Sequence, residues 1–185
     1  MSPDFLPLKG NYRNLIAFRK AECIYDITYY FAHKYLAKGD RTVDQMIQAA
    51  RSGRQNIAEG CTASTTSKET EIKLLNVAKA SLQELLLDYE DYLRVRNLEK
   101  WDINSEKGQQ ARYACSRHND SAYYREAIKI RSDETICNIA ITLICQTDVF
   151  LRRLIERAKS DFLASGGIRE QMHRARTETL NKPNY

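Results

Sequence analysis

Residues 75–92 read LNVAKASLQELLLDYEDY and decide the fold. Apolar or aromatic side chains recur in this stretch at alternating intervals of three and four residues: Leu75, Ala78, Leu82, Leu85, Tyr89 and Tyr92. Such spacing places these side chains along one face of an α-helix, where they can pack against neighbouring helices. The stretch therefore predicts a long amphipathic helix over about residues 67–97.

Three further stretches show the same helical period and predict helices over about residues 12–37, 42–61 and 133–164. No proline lies between Pro7 and Pro183, so no residue in this part of the chain lacks the backbone donor that a helix needs. No stretch alternates as a strand does, and the predicted links between the first three helices are short. The sequence therefore predicts an all-α fold, an antiparallel up-down-up-down four-helix bundle.

Short polar motifs predict where these helices begin and end. Gly39 follows the last periodic residue of the first helix and is a candidate C-cap. Thr42 is a candidate first residue of a capping box that opens the second helix. The third helix is expected to start near Thr66 or Ser67, where Thr66 and Glu69 fit a second capping box.

Residues 98–131 interrupt the pattern between the third and fourth helices. Unstructured loops of this length are rare in compact domains, so we expect two short helices over about 105–117 and 121–129. Four aromatic residues are expected to anchor this insertion: Trp101, Tyr113, Tyr123 and Tyr124. Gly166 and Gly167 predict the end of the fourth helix, and residues 166–185 form a C-terminal extension of the same single domain, residues 1–185.

The composition argues against several classes of protein. No apolar run approaches the roughly 18 residues that span a bilayer, and the first residues lack a signal-peptide pattern, so we expect a cytoplasmic protein. There is no glycine-rich phosphate loop and no recognisable nucleophile–histidine arrangement, so we expect no catalysis. The five cysteines include no Cys-x-x-Cys pair, and the three histidines lack ligand spacing to them. We therefore expect reduced thiols and neither metal nor cofactor.

Four polar residues occur beside the apolar stripes of the second and third helices: Asn56, Glu59, Ser81 and Glu84. The two glutamates lack the Glu-x-x-His spacing of di-iron bundles, which argues against a metal site. Two interpretations remain. The four side chains form a hydrogen-bonded polar layer that fixes the helix register, or they pair with Arg51 or Arg54 across a subunit boundary.

Basic residues concentrate in the first and last parts of the chain, which carries a net charge of +5. Eight of them are candidate phosphate contacts: Arg13, Arg19, Lys20, Arg51, Arg54, Arg152, Arg153 and Arg157. The alternative is that each cluster is an ordinary solvated surface. Tyr12, Tyr29 and Tyr30 leave open a similar choice between packing and the stacking of bases. In a ring of identical subunits these charges would be repeated, and phosphate binding strengthens with the number of charges neutralised.

Two motifs carry a resemblance to a known family. Residues 56–60, NIAEG, are followed by Ser67 and Glu69 and then by residues 78–85, AKASLQEL. Together they resemble the bacterial four-helix-bundle family of the 23S rRNA intervening-sequence proteins. The insertion and residues 161–170 are similar to its four-helix-bundle suffix subgroup.

The resemblance implies a homopentamer and nucleic-acid binding. A more distant similarity, to the accessory variability protein of diversity-generating retroelements, implies a basic pentamer that partners a reverse transcriptase. We therefore expect a non-enzymatic oligomeric scaffold or accessory protein that binds RNA or DNA through its basic surface and assists a nucleic-acid-processing enzyme. The alternative is a protein–protein adaptor that binds no nucleic acid.

Overall fold

The computed structural model describes residues 11–167, 170, 172–174, 176 and 177. Its six bounded α-helices are α1 (Ile16–Tyr35), α2 (Arg41–Ala63), α3 (Lys68–Val95), α4 (Glu106–Arg117), α5 (Ser121–Ala127) and α6 (Asp133–Ser165). Short 3₁₀ helices cover Tyr12–Asn14 and Ile128–Ile130. The described residues contain no β-strand, so the predicted all-α class is confirmed. The predicted C-terminal extension lies largely outside these residues.

The four long helices make the core. α1 packs against α2 and α6, and α3 also packs against α2 and α6. All six apolar positions of the α3 stripe are buried, as their spacing predicts. Opposite them, α1 buries Ile24, Ile27 and Phe31, and α6 buries Ile136 and Leu143. The period of three and four residues thus identified the inward face of each helix correctly.

The caps predicted at Gly39 and Thr42 are wrong, whereas the predicted start of the third helix near Thr66 or Ser67 is confirmed. α1 ends at Tyr35, and Gly39 lies instead in the following turn, with a φ of +89° that favours glycine. α2 is capped by Asp40, whose carboxylate accepts a 2.9 Å hydrogen bond from the Thr42 amide. α3 is capped by Ser67, whose hydroxyl accepts from the Thr70 amide. In both helices the cap residue has an extended backbone, which aims its side chain back at the first turn.

The insertion contains the two predicted short helices, α4 and α5, but its anchors differ from those predicted. Asn138 on α6 is only 3% exposed; its Oδ1 accepts a 2.8 Å hydrogen bond from the Trp101 amide, and its Nδ2 donates to the Glu99 carbonyl at 2.8 Å. Tyr124 is buried as expected. Tyr113, in contrast, is 68% exposed and anchors nothing. The buried side-chain amide of Asn138 therefore helps to anchor the insertion, a role that was predicted for aromatic rings.

Helix α6 is apolar enough to be compared with the expectation that no segment of the chain spans a membrane. Over Asp133–Ala164 it is long and apolar enough to cross a membrane by length and composition, with a mean hydropathy of 1.3 in the best 18-residue window. No other helix among the described residues meets this criterion. Since 56% of that window is buried against the rest of the protein, a core helix explains the composition. By itself the criterion is weak evidence for a membrane span.

Gly53 allows α2 and α3 to approach closely. A Cβ built at Gly53 would lie 2.7 Å from Cδ2 and 2.8 Å from Cγ of Leu82, whose side chain is buried. At Gly60, farther along α2, a Cβ would meet its nearest neighbours, on Leu74 and Leu75, at 3.4 Å. Of these two glycines, Gly53 is therefore the one on which the close approach of α2 and α3 depends.

Gly53→Ala should destabilise the protein although alanine is the better helix former. Overpacking a core costs about 1–3 kcal/mol, whereas the helix propensity of alanine returns only about 1 kcal/mol. We expect the free energy of unfolding, measured by urea denaturation with circular dichroism, to fall by up to about 2 kcal/mol. Gly60→Ala is the matched control and should be neutral or stabilising. Equal effects of both substitutions would contradict the close contact with Leu82.

Candidate functional site

Most of the predicted phosphate contacts are accessible. Five of the arginines are exposed, and no ion pair is seen for them among the described residues: Arg13, Arg19, Arg51, Arg153 and Arg157. Arg152 is exposed too, but its Nε lies 2.9 Å from Oδ2 of Asp148. Arg54 is half-buried, and its guanidinium carbon lies 4.5 Å from the ring centre of Tyr25.

The prediction for Lys20 is wrong, because the side chain is 2% exposed. Its Nζ donates hydrogen bonds to the Cys115 carbonyl at 2.7 Å and to Oε1 of Gln146 at 2.8 Å. Burial lowers the pKa of this ammonium group below its ordinary value. Lys20 is therefore covered by the insertion and is not a surface contact for phosphate.

Instead, Lys20 and Gln146 hold the end of α4 against the bundle. Cys115 supplies one of the last four carbonyls of α4, which have no partner inside their own helix. A lysine ammonium at this end also complements the helix dipole. Gln146 accepts from Lys20 and donates from Nε2 to the Arg112 carbonyl at 3.0 Å. These contacts join α1, α4 and α6 at one point.

The predicted polar layer exists in a smaller form. The hydroxyl oxygens of Ser52 and Ser81 lie 2.8 Å apart, and Asn56 Nδ2 donates to Ser52 Oγ at 3.2 Å. Glu59 and Glu84 are exposed and take no part in it. Each glutamate follows a buried apolar residue by two positions, which on a helix turns the side chain to the opposite face. The pairing of these residues with Arg51 or Arg54 across a subunit boundary stays a prediction.

A groove of about 640 Å³ lies between α1 and α5. We call it the α1–α5 groove and define it by its lining residues: Tyr25, Asp26, Tyr29, Tyr30, His33, Lys34, Arg125, Ile128 and Lys129. One wall is the outer face of α1. The other is formed by α5 and the 3₁₀ helix that follows it, so the insertion builds half of the groove.

Three rings line the α1 wall at intervals of four residues. The ring centres of Tyr25 and Tyr29 are 6.4 Å apart, and those of Tyr29 and His33 are 4.3 Å apart. Tyr29 is 51% exposed and His33 is also exposed. A spacing of four residues keeps the rings on one face of the helix. The groove therefore presents a row of accessible aromatic surfaces.

Cations flank these rings on the α1 wall. Lys34 Nζ donates a 2.7 Å hydrogen bond to the Tyr30 hydroxyl and lies 5.0 Å from the centre of that ring. This hydrogen bond raises the pKa of Lys34, which stays charged at neutral pH. Arg54, stacked on Tyr25, adds a guanidinium from α2 at the groove edge.

The opposite wall contributes Arg125 and Lys129. Arg125 Nε lies 3.8 Å from Oδ2 of Asp26, which also accepts a hydrogen bond from the Ser121 hydroxyl. Lys129 Nζ lies 2.7 Å from a carboxylate oxygen of Glu126. Ion pairs near the surface, such as Lys129–Glu126, contribute little to stability. Three cations and the single carboxylate of Asp26 line the groove.

The sequence predicts only part of this site. Arg54, at the groove edge, is among the predicted phosphate contacts and Tyr29 and Tyr30 stay open, whereas the sequence predicts no role in binding for His33, Lys34, Arg125 or Lys129. The last two come from the insertion, which meets α1 only through tertiary packing. The available signal was the four-residue interval of Tyr25, Tyr29 and His33, which differs from the period of the buried stripe on the same helix.

No protein-family model, curated protein or solved structure matches the chain. The family resemblance carried by residues 56–60 and 78–85 is untested by these comparisons and stays a prediction. Among the described residues, no group of three or more His, Cys, Asp or Glu side chains could hold a metal ion. The α1–α5 groove presents aromatic faces, three cations and one carboxylate.

Lys20→Met tests the docking of the insertion. Methionine retains an apolar stem but removes the donor, so the Cys115 carbonyl and the Gln146 amide oxygen lose their partner. Leaving buried acceptors unpaired costs about 1–3 kcal/mol, and we expect the free energy of unfolding to fall by about that amount in urea denaturation. Lys38→Met, at an exposed position before α2, is the control and should change little.

The effect of Lys20→Met should also depend on pH. Because burial lowers the pKa of Lys20 in the folded protein, the unfolded chain binds more protons there as the pH approaches the ordinary lysine value of 10.5. The contribution of Lys20 to the free energy of unfolding of the wild type therefore rises as the pH increases towards 10.5. The stability difference between wild type and variant should widen from neutral pH towards 10.5. A difference that stays constant would contradict the buried ammonium.

Proposed function

We propose that this protein is a non-enzymatic, cytoplasmic accessory or scaffold protein that binds RNA or DNA in the α1–α5 groove. One observation carries the proposal: three cations and a row of accessible rings line the same groove. Nucleic acids offer phosphates and aromatic bases at regular intervals, and proteins that bind them combine the two corresponding features. A role beside a reverse transcriptase or a similar enzyme rests on the family resemblance alone.

The charges of the groove suit a polyanion. Lys34 extends from one wall, and Arg125 and Lys129 extend from the other, so a strand between them has cations on both sides. Each phosphate that is neutralised releases counterions, which makes binding stronger at low salt. The exposed arginines of α6, Arg153 and Arg157, lie towards the start of α1, away from the groove, and are proposed as separate secondary contacts.

The proposed framework is an antiparallel up-down-up-down four-helix bundle, and pairs of contacting residues support it. Along α3 and α6, Tyr92 hydrogen-bonds Asp133, whereas Lys68 lies 3.4 Å from Asp161. Residue numbers therefore rise on one helix as they fall on the other. Comparable pairs join other neighbouring helices: Tyr35 with Arg131 and Lys20 with Gln146 between α1 and α6, and Ser52 with Ser81 and Gly60 with Leu75 between α2 and α3.

Self-association is a further part of the proposal, with a homopentamer as the expected state from the resemblance. Exposed apolar side chains on α3, Val77, Leu87 and Val95, offer surface that a second copy can cover. In a ring the groove would be repeated in every subunit. A net charge of +5 for one chain would then become a strongly cationic particle, which raises its attraction for a long polyanion.

A protein–protein adaptor is the second candidate, and one observation favours it. The insertion carries large apolar side chains in solvent: Ile103, Tyr113 and Ile130, the last 90% exposed. Exposed apolar residues on an inserted segment are suited to a protein partner. This alternative and the proposed function differ in their dependence on salt, because an apolar interface lacks the counterion release of phosphate binding.

Two triple substitutions with the same change of charge test the proposed function. Lys34, Arg125 and Lys129 are replaced by Glu in one variant, and Arg152, Arg153 and Arg157 in the other. We expect the first to lose about 100-fold or more in affinity for a labelled RNA or DNA, because about three phosphate contacts become repulsive. The second should lose less. Fluorescence anisotropy between about 50 and 200 mM salt measures both affinity and its salt dependence.

Two controls accompany this comparison. Circular dichroism checks that both variants are folded, and native mass spectrometry checks that each keeps the wild-type multiple of 21.4 kDa. Binding that is lost only in the α6 variant would place the phosphate contacts on α6 and contradict the groove. Wild-type protein that retains neither RNA nor DNA at low salt would leave the adaptor as the better account.

A further inference from the structure

We infer that the α1–α5 groove takes an unpaired nucleic-acid strand, with its bases stacked on the rings of Tyr25, Tyr29 and His33, rather than a duplex. This inference rests on the proposed function and specifies its substrate class. The cations alone would attract any polyanion. The rings are what distinguish a strand whose bases are free from one whose bases are paired.

Access to base faces is the first argument. Inside a duplex each base is covered above and below by its neighbours, so a protein reaches only base edges and the backbone. The exposed ring of Tyr29 can therefore gain stacking energy only from a base that has left its own stack. Against a duplex this ring would contact sugar and phosphate, where an aromatic face has little to offer.

Ring spacing is the second argument. Successive positions on the α1 wall are four residues apart, which is about 6 Å along a helix axis, whereas stacked bases in a duplex rise by about 3.4 Å. The centres of Tyr25 and Tyr29 are 6.4 Å apart and those of Tyr29 and His33 are 4.3 Å apart, so both distances exceed the rise of stacked bases. A strand that follows this wall must therefore be extended beyond the stacked spacing, as an unpaired strand can be.

The arrangement of charge is the third argument. Arg125 and Lys129 are four residues apart on the insertion wall and face the rings across the groove. A single strand can place its phosphates against this wall and its bases against α1. The volume of about 640 Å³ falls within the range of sites for small ligands, about 300–1,000 Å³. One groove therefore holds a short piece of a strand.

RNA and DNA share the chemistry that this groove recognises, namely unpaired bases on a phosphate backbone. The test compares four probes by fluorescence anisotropy: a twelve-nucleotide single strand of RNA, the same sequence as DNA, and a twelve-base-pair duplex of each. The wild type should bind both single strands more tightly than the duplexes. A preference between the two single strands would identify the source of the strand and support the inference in either case.

Ring variants separate stacking from charge. The double substitution Tyr29→Ala, His33→Ala should weaken single-strand binding by about tenfold or more and leave duplex binding and the salt slope unchanged. Tyr29→Phe keeps the ring and should keep the affinity. Tyr113→Ala is the matched control, since Tyr113 is a tyrosine outside the groove, near Arg117, and is more exposed than Tyr29. It should have no effect.

The outcomes separate the inference from the function on which it rests. If the double ring variant weakens single strands and duplexes equally, or neither, the inference is overturned while nucleic-acid binding stands. If the wild type binds none of the four probes at low salt, the proposed function fails and the inference fails with it. Loss of single-strand binding in Tyr113→Ala would also overturn the inference, because the stacking surface would then lie on α4.

Discussion

The attachment of the insertion to the bundle depends on one buried ammonium group. Lys20 on α1 donates to a carbonyl at the end of α4 and to the Gln146 amide on α6, and so joins three helices. A buried charge is costly unless it is hydrogen-bonded, and here the partners are fixed by helices on both sides. Since α5 follows α4 directly, the position of the groove's second wall depends on this attachment. Asn138 holds the start of the same segment at Trp101, Asp26 holds the start of α5 at Ser121, and the Tyr35 hydroxyl donates to the Arg131 carbonyl at its end.

Two lysines on α1 show how position on the helix decides the role of a residue. Lys20 lies on the covered face, where burial lowers its pKa and its hydrogen bonds serve the fold. Lys34 lies on the exposed face, where the Tyr30 hydroxyl raises its pKa and its charge is available to a ligand. Both belong to the same amphipathic helix. The boundary between these faces is set by the insertion, which covers the first and forms a groove with the second.

The core could be predicted from the sequence because it depends on a local period: the α3 stripe from Leu75 to Tyr92 needs no knowledge of other helices. The helix caps were less predictable, because Asp40 and Ser67 each have a neighbouring threonine with a similar propensity for the N-cap position. The burial of Lys20 could not be predicted, because its cover comes from Cys115, about a hundred residues later in the chain. For the same reason, the sequence could not predict that Arg125 and Lys129 lie in the same groove as the rings of α1. Long-range packing of an insertion leaves no periodic signal.

Cross-linking by ultraviolet light tests the central claim most directly: the groove between α1 and the insertion contacts an unpaired strand. Wild-type protein is irradiated with a single-stranded oligonucleotide, digested, and mapped by mass spectrometry. The account predicts cross-linked peptides that contain residues 25–34, with Tyr29 as the principal site, and further links within residues 121–130. Cross-links confined to residues 152–157, or a pattern unchanged in Tyr29→Ala, would contradict it.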